Sequence, residues 1–516
     1  MTSIRINSRT AIRPAAPASY RKGLLMIACW GLFLMAAKAQ DKIATKTQHK
    51  KPTAAWGTGS RHVNSWLTSP SASIFFEKQE ARNWGQPMEQ RSAGPAGSTG
   101  SSAGSGSVIN IDPGQSFQSI DGWGWALTGG SAQQIIKMSA PARTALLKEL
   151  FGVAGKQIGG SYLRVSIGAS DLSDHVFSYD DLPAGQTDTA LAHFDLGPDR
   201  QNVIPVLKEI LAINPAITIL GSPWSPPAWM KTNQDTRGGS LKPEYYGVYA
   251  RYFVRYILAM QKEGIRIGAI TVQNEPLHPG NEPSLLMPAT EQAAFIKSAL
   301  GPAFRKAGLK TKIIIYDHNA DKPEYPISIL DDAGARPYVD GSAFHLYGGK
   351  IEALSRVHEA YPDKNLYFTE QWVGAPGNFQ KDIPEHVRNL IVGASRNWSK
   401  TVIEWNLASD SLYRPHTDRG GCDRCLGALT IDGDRVTRNP AYYIIAHAAK
   451  FVRPGSVRIS SNSDDSLPNV AFRTPDGKIV LIVLNDGNRA TTFSINYKGK
   501  QVGERLDPGA VATYVW

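Results

Sequence analysis

The feature that most constrains the fold is an alternation of short apolar strands and amphipathic helices that recurs eight times between residues 118 and 438. Apolar, β-branched runs separated by helical patterns, with apolar residues three and four apart, predict buried parallel strands. The strand candidates are residues 118–128, 161–168, 216–224, 267–276, 312–319, 341–347, 365–372 and 402–409. The clearest helical patterns cover residues 132–151, 201–213, 243–263, 290–307 and 384–398. Eight such units predict an α/β protein built on a (β/α)8 TIM barrel.

An open, doubly wound sheet is the alternative arrangement of alternating strands and helices. Such a sheet would be expected to carry a glycine-rich nucleotide loop after its first strand. The first predicted strand instead contains Gly122-Trp123-Gly124-Trp125, which lacks that glycine spacing and places two large aromatic rings where a phosphate would approach. The barrel is therefore favoured.

From residue 439 onward the pattern changes. Residues 439–451 predict a helix, and short alternating stretches separated by Pro-Asp-Gly and Asn-Asp-Gly turns follow it. These stretches are residues 457–460, 470–473, 479–484, 490–497 and 510–516. They predict a small antiparallel β-sandwich, to which residues 108–117 add a strand. The predicted domains are thus a catalytic barrel at 118–438, and a helix with the sandwich at 439–516.

The first 107 residues are expected to lie outside the barrel. Residues 1–51 contain ten basic residues and one acidic residue, which account for nine of the net charge of +11, so the folded body gives no reason to expect a nucleic-acid partner. Residues 1–39 predict a signal peptide, because Arg21 and Lys22 precede an apolar run and Ala37-Lys38-Ala39 has the form of a cleavage site. Residues 40–107 predict a flexible linker, since 91–106 are almost wholly Ser, Gly, Ala, Pro and Thr. The aromatic stretch 56–84 is the part expected to dock on the body.

A membrane anchor and a lipoprotein signal are the alternatives to cleavage. The apolar run at 23–37 has fifteen residues, fewer than the roughly 20 that span a bilayer. Residues 26–29 resemble an acylation site, but a further apolar block follows Cys29. A secreted or periplasmic protein without stable membrane insertion is therefore expected. In such a protein the pair Cys422 and Cys425 predicts a disulfide that closes a short loop, rather than two of the ligands of a zinc site.

Polar and aromatic residues follow the predicted strands, whose carboxyl ends meet at one mouth of a barrel. These residues are Trp123, Trp125, Asp171, Trp224, Asn274, Glu275, Asp317, His318, His345, Tyr347, Glu370, Trp372, Trp405 and Asn406. Aromatic faces stack on the CH faces of a sugar, while amides and carboxylates bind its hydroxyls. The mouth therefore predicts a carbohydrate site.

Glu275 and Glu370 are the candidate catalytic pair, because each ends an apolar strand. Glycoside cleavage needs a proton for the leaving oxygen and a negative group on the opposite face of the anomeric carbon. Asn274 is expected to bind the sugar 2-hydroxyl. We expect burial and the charge of Glu370 to raise the pKa of Glu275, and Tyr347 to help keep Glu370 ionised. The carboxyl groups should lie about 5 to 5.5 Å apart.

Several of these residues also suit roles other than catalysis. A single carboxylate at a strand end often bonds a neighbouring loop or an arginine, and only the pair with the aromatic rim favours catalysis. Asp317-His318 suggests a metal pair, but no third ligand is spaced to join it, so His318 is expected to form hydrogen bonds at the rim. No metal or cofactor is expected. A barrel that only binds glycans would require the loss of Glu275 or Glu370.

Five motifs resemble glycoside hydrolase family 30, and the resemblance runs from about residue 122 to the end. The motifs are SPWSPPAWMKTN at 222–233, TVQNEP at 271–276, FHLY at 344–347, FTE at 368–370 and EWNLASD at 404–410. The resemblance implies a barrel with a β-sandwich built from both chain ends, and a retaining mechanism at β-linked sugars. It also implies that Glu275 is the acid/base and Glu370 the nucleophile. The residues implied to line the glycosyl pocket are Asp171, Trp224, Asn274, His345, Tyr347 and Trp405.

The chain departs from the family pattern at two places near the rim. It has Glu404 where the family often has Asp, and Leu346 where the family often has Trp, which leaves the substrate open. Asp171 and Trp224 match positions that hold the far hydroxyls of glucose, and this favours glucose over xylose. The prediction is a secreted retaining β-glycosidase of glucosylceramidase type acting on a β-linked glucoside or glucan. An endo-β-1,6-glucanase is the alternative, and a xylanase or a non-catalytic glycan-binding barrel ranks below both.

Overall fold

The computed structural model describes residues 62–85, 107–462 and 464–516. The predicted signal peptide and most of the predicted linker lie outside these residues. In the described part of the chain, no helix is both long enough and apolar enough to cross a bilayer.

Eight parallel strands close into a barrel, as the alternating pattern predicts. The strands, numbered in chain order, are β1 (Gly122–Ala126), β2 (Tyr162–Ser166), β3 (Thr218–Ser222), β4 (Ala269–Thr271), β5 (Lys312–Ala320), β6 (Val339–Gly349), β7 (Asn365–Glu370) and β8 (Ser399–Glu404). Strand β8 closes the ring by pairing in parallel with β1. The (β/α)8 class is confirmed.

The helices form the outer layer of the barrel. They are Gly129–Lys137, Ala140–Phe151, Val203–Ile213, Tyr246–Lys262, Ala289–Phe295, Gly301–Lys306, Glu324–Asp331, Ala353–Ala360, Phe379–His386 and Pro440–Ala449. The π-helical segments Ile296–Leu300 and Val387–Ala394 continue two of them. The helix predicted to begin at residue 384 begins at Phe379, because the side chain of Asn378 caps it by accepting backbone N–H groups of Gln380 and Lys381.

Trp123 and Trp125 lie outside the mouth, in contrast to the prediction. Each is at most 1% exposed, and their indole N–H groups donate to the carbonyls of Val452 (2.9 Å) and Ala441 (3.2 Å). These contacts dock the helix Pro440–Ala449 and the turn that follows it onto β1, so this helix completes the outer layer of the barrel. The sequence prediction grouped this helix with the sandwich, beyond its boundary at residue 438.

The other long strands form a ten-stranded sheet that encloses a second apolar core. Nine strands follow in the order Ile74–Lys78, His62–Ser69, Val511–Val515, Ile479–Leu484, Asn469–Arg473, Val457–Ser461, Ser107–Ser119, Thr491–Tyr497 and Lys500–Leu506, and Arg82–Asn83 pairs with His62–Ser69. The strand expected before the barrel is present as Ser107–Ser119. Its pairing with Thr491–Tyr497 is parallel, unlike the antiparallel sandwich predicted.

Residues 62–83 form three strands, although the sequence predicts a flexible linker there. The strand His62–Ser69 pairs with Val511–Val515, and Val63 is 1% exposed in the sandwich core. Without this strand, Val511–Val515 would present a row of unpaired backbone groups at an edge of the sheet. The expectation that the aromatic stretch docks on the body is therefore correct within the described residues.

Candidate active site

Side chains that face the barrel interior change from mainly apolar to mainly polar just below the mouth. One buried cluster consists of Tyr162, Leu220, Ala269, Ile314, Ala343, Tyr367 and Ile403. Alternate residues of a strand face the same side, so positions two residues further along also point inward. Those positions include Arg164, Ser222, Thr271, His345, Thr369 and Trp405, all buried. The pleat of the strands thus builds a polar layer from residues that alternate with apolar ones.

Arg164 on β2 lies at the centre of a buried charge network. Its Nη2 donates to Asn274 Oδ1 (2.6 Å), Asp317 Oδ2 (2.8 Å) and Ser222 Oγ (3.1 Å). Its Nη1 donates to Glu370 Oε2 at 2.5 Å. Burial alone would lower the pKa of Arg164, but the charges of Asp317 and Glu370 raise it overall. Arg164 is therefore a fixed cation beside one of the two candidate catalytic carboxylates.

Asp317 on β5 is the fixed anion of the same network. Besides Arg164, the hydroxyl groups of Thr369 (2.6 Å), Ser222 (2.7 Å) and Thr271 (2.7 Å) donate to its carboxylate. Nε2 of His345 lies 3.1 Å from Oδ1. Burial would raise the pKa of Asp317, but the charge of Arg164 and these hydrogen bonds hold it well below its usual range. Because protein groups already surround both oxygens of this carboxylate, it does not suit the metal pair with His318 that the sequence suggests.

His318 lies near Glu275 but beyond hydrogen-bonding distance. Its Nε2 is 3.9 Å from Glu275 Oε1. Burial lowers the pKa of His318 to about 4, so the ring is neutral at pH 7. Its buried Nδ1 has no hydrogen-bond partner among the described residues.

Glu275 and Glu370 face each other at the mouth. They are 8% and 6% exposed, and a carboxylate oxygen of one lies within 4.8 Å of a carboxylate oxygen of the other. Glu275 has a φ of 42°, and its backbone N–H donates to the carbonyl of Asp317 at 3.0 Å. A non-glycine residue in this left-handed region costs of order 1 kcal/mol and is concentrated at functional sites.

The pKa order of the two glutamates is the reverse of the one expected from the sequence. Burial raises the pKa of Glu275, but the hydrogen bond and the charge of His345 lower it overall. Burial also raises the pKa of Glu370, and this effect with the charge of Glu275 outweighs the charges of His345 and Arg164. The sequence expectation was wrong because it considered the two carboxylates without the two cations between and below them.

His345 on β6 connects the pair to Asp317. Its Nδ1 lies 3.2 Å from Glu275 Oε1 and 3.7 Å from Glu370 Oε1. Burial would lower the pKa of His345, but the charge of Glu370 and the hydrogen bonds to Asp317 and Glu275 raise it to about 9. The imidazole is therefore protonated at pH 7, and its Nδ1–H is a proton directed at Glu275.

The other predicted site residues surround this pair. The hydroxyl of Tyr347 donates to Glu370 Oε1 at 3.0 Å, while the residue as a whole is 40% exposed. The rings of Trp224 and Trp405 stack with centroids 5.4 Å apart. Burial, with the charges of Glu370 and Glu275, raises the pKa of Asp171 to about 7. The mouth thus brings together Glu275, Glu370 and the six residues that the family resemblance implied for the glycosyl pocket.

The disulfide Cys422–Cys425 lies in the wall beside Asp171. The backbone of Cys422 hydrogen-bonds the Asp171 carboxylate, which opposes the rise of its pKa. The strand Cys425–Leu426 pairs antiparallel with Val373–Gly374 to form a small two-stranded sheet. A second small sheet contains Ala408–Ser409, Leu429–Asp432 and Arg435–Arg438.

The polar layer below the glutamates was not predicted from the sequence as a unit. Its members are Arg164, Ser222, Thr271 and Thr369, together with Asp317, which the sequence placed at the mouth and suggested as half of a metal pair. Arg164 carried a signal, because a charged residue inside the buried strand Tyr162–Ser166 requires a partner. Ser222, Thr271 and Thr369 stand in three of the motifs, but nothing in those motifs showed that their hydroxyl groups face Asp317.

A closed barrel with two buried carboxylates facing each other among aromatic rings defines the class of the protein as a glycoside hydrolase. The model of the glycosyl hydrolase family 30 TIM-barrel domain matches residues 120–452. The model of the family 30 beta sandwich domain matches residues 455–514. The chain belongs to glycoside hydrolase family 30.

Similar proteins of this family have two kinds of named activity. The chain is 35% identical over 421 residues to an endo-1,6-beta-D-glucanase of Neurospora crassa, covering 77% of this chain and 85% of the relative. It is 30% identical over 443 residues to the lysosomal acid glucosylceramidase of Mus musculus, covering 80% and 84%. The solved structure of the endo-beta1,6-glucanase BT3312 superposes with a TM-score of 0.79 at 34% identity, covering 88% of this chain and 99% of that one.

Proposed function

We propose that this protein is an endo-β-1,6-glucanase that acts with retention of configuration. The sequence prediction put a glucosylceramidase-like activity first and the β-1,6-glucanase second. The similar proteins support the opposite order, because the glucanases mentioned above are 34–35% identical to this chain and the glucosylceramidase is 30% identical.

The observation that carries the mechanism is the short separation of the two buried carboxylates. Retaining glycosidases hold their carboxyl groups about 5 to 5.5 Å apart, whereas inverting ones leave about 6.5 to 9.5 Å for a water molecule. One oxygen of Glu275 and one of Glu370 lie within 4.8 Å of each other, which fits the retaining separation better than the inverting one. This supports a double displacement.

In the first step, a carboxylate oxygen of Glu370 attacks the anomeric carbon and forms a glycosyl ester, while the glycosidic oxygen leaves with a proton from Glu275. Arg164 and Tyr347 hold the two oxygens of Glu370 in place. In the second step, Glu275 takes a proton from water, which attacks the ester and releases Glu370.

His345 supplies the proton that Glu275 delivers. In the free site the proton is on His345 Nδ1, and the charge of Glu370 is the main interaction that raises the pKa of His345. Attack on the sugar consumes that charge, so the pKa of His345 falls at the moment when Glu275 must act as an acid. Transfer from Nδ1 to Glu275 Oε1 follows an existing contact of 3.2 Å, while Asp317 keeps its contact with Nε2.

A substrate panel tests the proposed activity. Purified protein is incubated with β-1,6-glucan, glucosylceramide, an aryl β-glucoside and xylan, and early products are separated by chain length. We expect β-1,6-glucan to yield oligosaccharides of mixed length before free glucose accumulates. Release of glucose alone would contradict endo action, and preferential cleavage of glucosylceramide or xylan would contradict the linkage. Glycan binding without turnover would support the non-catalytic alternative.

We also propose that the protein is secreted or periplasmic. The predicted signal peptide lies outside the described residues, but the disulfide between Cys422 and Cys425 suits an oxidising compartment. Amino-terminal sequencing of protein recovered outside the cytoplasm should begin at Gln40. Recovery of uncleaved chain in the membrane fraction would contradict this proposal.

A further inference from the structure

A second cluster of ionisable side chains lies in the segment after β2, apart from the catalytic pair. It consists of Asp180, Asp188 and His193, and one ligand atom of each lies within 4.8 Å of the others. The two aspartates are buried, whereas the side chain of His193 is 68% exposed. The cluster therefore has a buried acidic side and an open imidazole side.

Asp180 has no hydrogen-bond partner for either carboxylate oxygen, although the residue is only 1% exposed. A buried carboxylate without a partner is costly to keep ionised. Burial and the charge of Asp188 accordingly raise the pKa of Asp180 to about 6. Asp188 differs, because Oδ2 accepts the backbone N–H of His193 at 2.8 Å and lies 2.9 Å from its Nδ1. The cluster thus contains one satisfied and one unsatisfied carboxylate.

The nearby cation Arg255 does not satisfy Asp180. Its guanidinium donates to the carbonyls of Ala190, at 3.0 Å, and Leu191. These bonds fix the backbone between Asp188 and His193, and so place the cluster, while they leave both oxygens of Asp180 without a donor.

We propose that Asp180, Asp188 and His193 bind one divalent transition-metal ion of the Zn²⁺ or Mn²⁺ class. Two carboxylates and an imidazole form a mixed oxygen and nitrogen donor set, which these ions accept. Ca²⁺ prefers six to eight oxygen ligands and fits the set less well. The exposed side of His193 leaves room for water to complete the coordination shell. This site is additional to the catalytic pair, for which no metal was expected.

The ion would stabilise the wall of the sugar pocket. The carbonyl of Asp180 accepts the indole N–H of Trp229 at 2.9 Å. Trp229 belongs to the motif at 222–233, which also carries Trp224 of the stacked pair. An ion that orders Asp180 therefore acts on the segment that presents Trp224, and its role is structural.

Metal binding to untagged full-length protein tests the proposal. Chelator-treated protein is titrated with Zn²⁺, Mn²⁺ and Ca²⁺ by calorimetry, and its thermal unfolding is followed with and without each ion. The test variants are Asp180→Asn and His193→Gln, the latter exposed and therefore not expected to impair folding. The matched control is His175→Gln, because His175 and Asp174 form an exposed pair at 2.7 Å that no third ligand joins within the described residues.

We expect one equivalent of Zn²⁺ or Mn²⁺ that binds wild type and His175→Gln alike, with a rise in unfolding temperature of about 3 °C at a hundredfold excess over Kd. Asp180→Asn and His193→Gln should each bind about tenfold more weakly or worse. Absence of binding in wild type, or equal stoichiometry and affinity in His193→Gln, would overturn the proposal. Stronger stabilisation by Ca²⁺ than by Zn²⁺ and Mn²⁺ would overturn the assigned ion class.

Discussion

Glu370 and Glu404 end neighbouring barrel strands, and both are buried, yet they lie on opposite sides of the barrel wall. Glu370 points into the mouth, where Arg164 and Tyr347 bind it. Glu404 points outward, and its Oε1 lies 2.8 Å from Nδ1 of His386 in the outer helix Phe379–His386. In sequence the two are alike, since each follows an apolar run and precedes a tryptophan by one or two residues.

A bulge of one residue in β7 explains why Glu370 and Glu404 face opposite sides of the barrel wall. Between β6 and β7 the register passes from Phe344 opposite Phe368 to His345 opposite Glu370, so Thr369 is skipped. This bulge turns both Thr369 and Glu370 toward the interior. Strand β8 stays regular through Glu404, which lies opposite Trp125. Because Glu404 faces the outer helix, the departure from the family's Asp at this position does not change the rim of the site.

The largest expected effect is a difference in kcat between variants of Glu370 and Glu404. Glu370→Gln should lower kcat by on the order of 10⁴-fold or more, because it removes the nucleophile. Glu404→Gln should change kcat less than about threefold, and should lower the free energy of unfolding by about 1.5 to 3 kcal/mol through the weakened contact with His386. Initial rates on β-1,6-glucan and thermal unfolding of both variants measure this. Comparable rate losses in the two would contradict the assignment of inner and outer sides.

Removal of Arg164 should affect both activity and stability. Arg164→Met leaves Asp317 and Glu370 buried without their cation. Loss of one partner of a buried ion pair costs about 3 to 5 kcal/mol. We expect a loss of stability of that size in denaturant unfolding, with kcat reduced by roughly 10² or more. His386→Leu on the outer side is the matched control, and should lose stability while keeping its rate. An Arg164→Met protein with wild-type kcat would contradict the network.

Two of the buried histidines, His345 and His386, have raised pKa values and predict a pH dependence of stability. His345 faces Glu275, Glu370 and Asp317, and its pKa is about 9 when folded, against 6.5 in the unfolded chain. A raised pKa contributes stability below pH 6.5 that is lost as pH rises through 9, here by at most about 3 kcal/mol. Burial lowers the pKa of His386, but the charge and hydrogen bond of Glu404 raise it overall, so its effect has the same sign. Unfolding free energies from pH 6.5 to 9 should fall in wild type and fall less in His345→Gln. An unchanged slope in that variant would refute the raised pKa.

The smallest effect concerns Tyr347, which donates one hydrogen bond to Glu370 at 3.0 Å. Tyr347→Phe should lower kcat by about tenfold, since a hydrogen bond to a charged group is worth about 1.5 to 3 kcal/mol and Arg164 remains. It should also shift the acidic limb of the kcat/KM profile upward, because Glu370 loses a donor that stabilises its charge. Kinetics on β-1,6-glucan across pH 4 to 9 would measure both. A tenfold loss without any pH shift would mean that Tyr347 acts only by positioning the sugar.

The barrel was predictable because eight strands and helices repeat the same pattern. Glu275 and Glu370 were predictable at the mouth because each ends an apolar strand. The direction in which a strand-end residue faces was not predictable. Trp123 and Trp125 were assigned to the mouth but bind the carbonyls of Val452 and Ala441 on the outer side of the barrel, because no sequence pattern shows which face of a fully buried strand looks inward. The bulges at Thr369 and Asp317 are invisible for the same reason.

Long-range partners account for the remaining differences. Residues 62–83 looked like part of a linker because the strand His62–Ser69, on which the other two of this segment pair, itself pairs with Val511–Val515 at the far end of the sequence. The pKa order of Glu275 and Glu370 depends on His345 and Arg164. Arg164 lies in the buried strand Tyr162–Ser166, whose sequence does not show that it faces the two glutamates. Sequence periodicity describes single elements, whereas these features depend on which elements become neighbours.

The measurement that tests the central claim most directly is the configuration of the first sugar product. Proton NMR of a β-1,6-linked glucan or oligosaccharide, recorded within the first minutes of hydrolysis and before mutarotation, distinguishes the two anomers. The close pair of Glu275 and Glu370 predicts that the β-anomer forms first, with the α-anomer rising only later. Initial formation of the α-anomer would contradict the double displacement and the role of Glu370 as nucleophile.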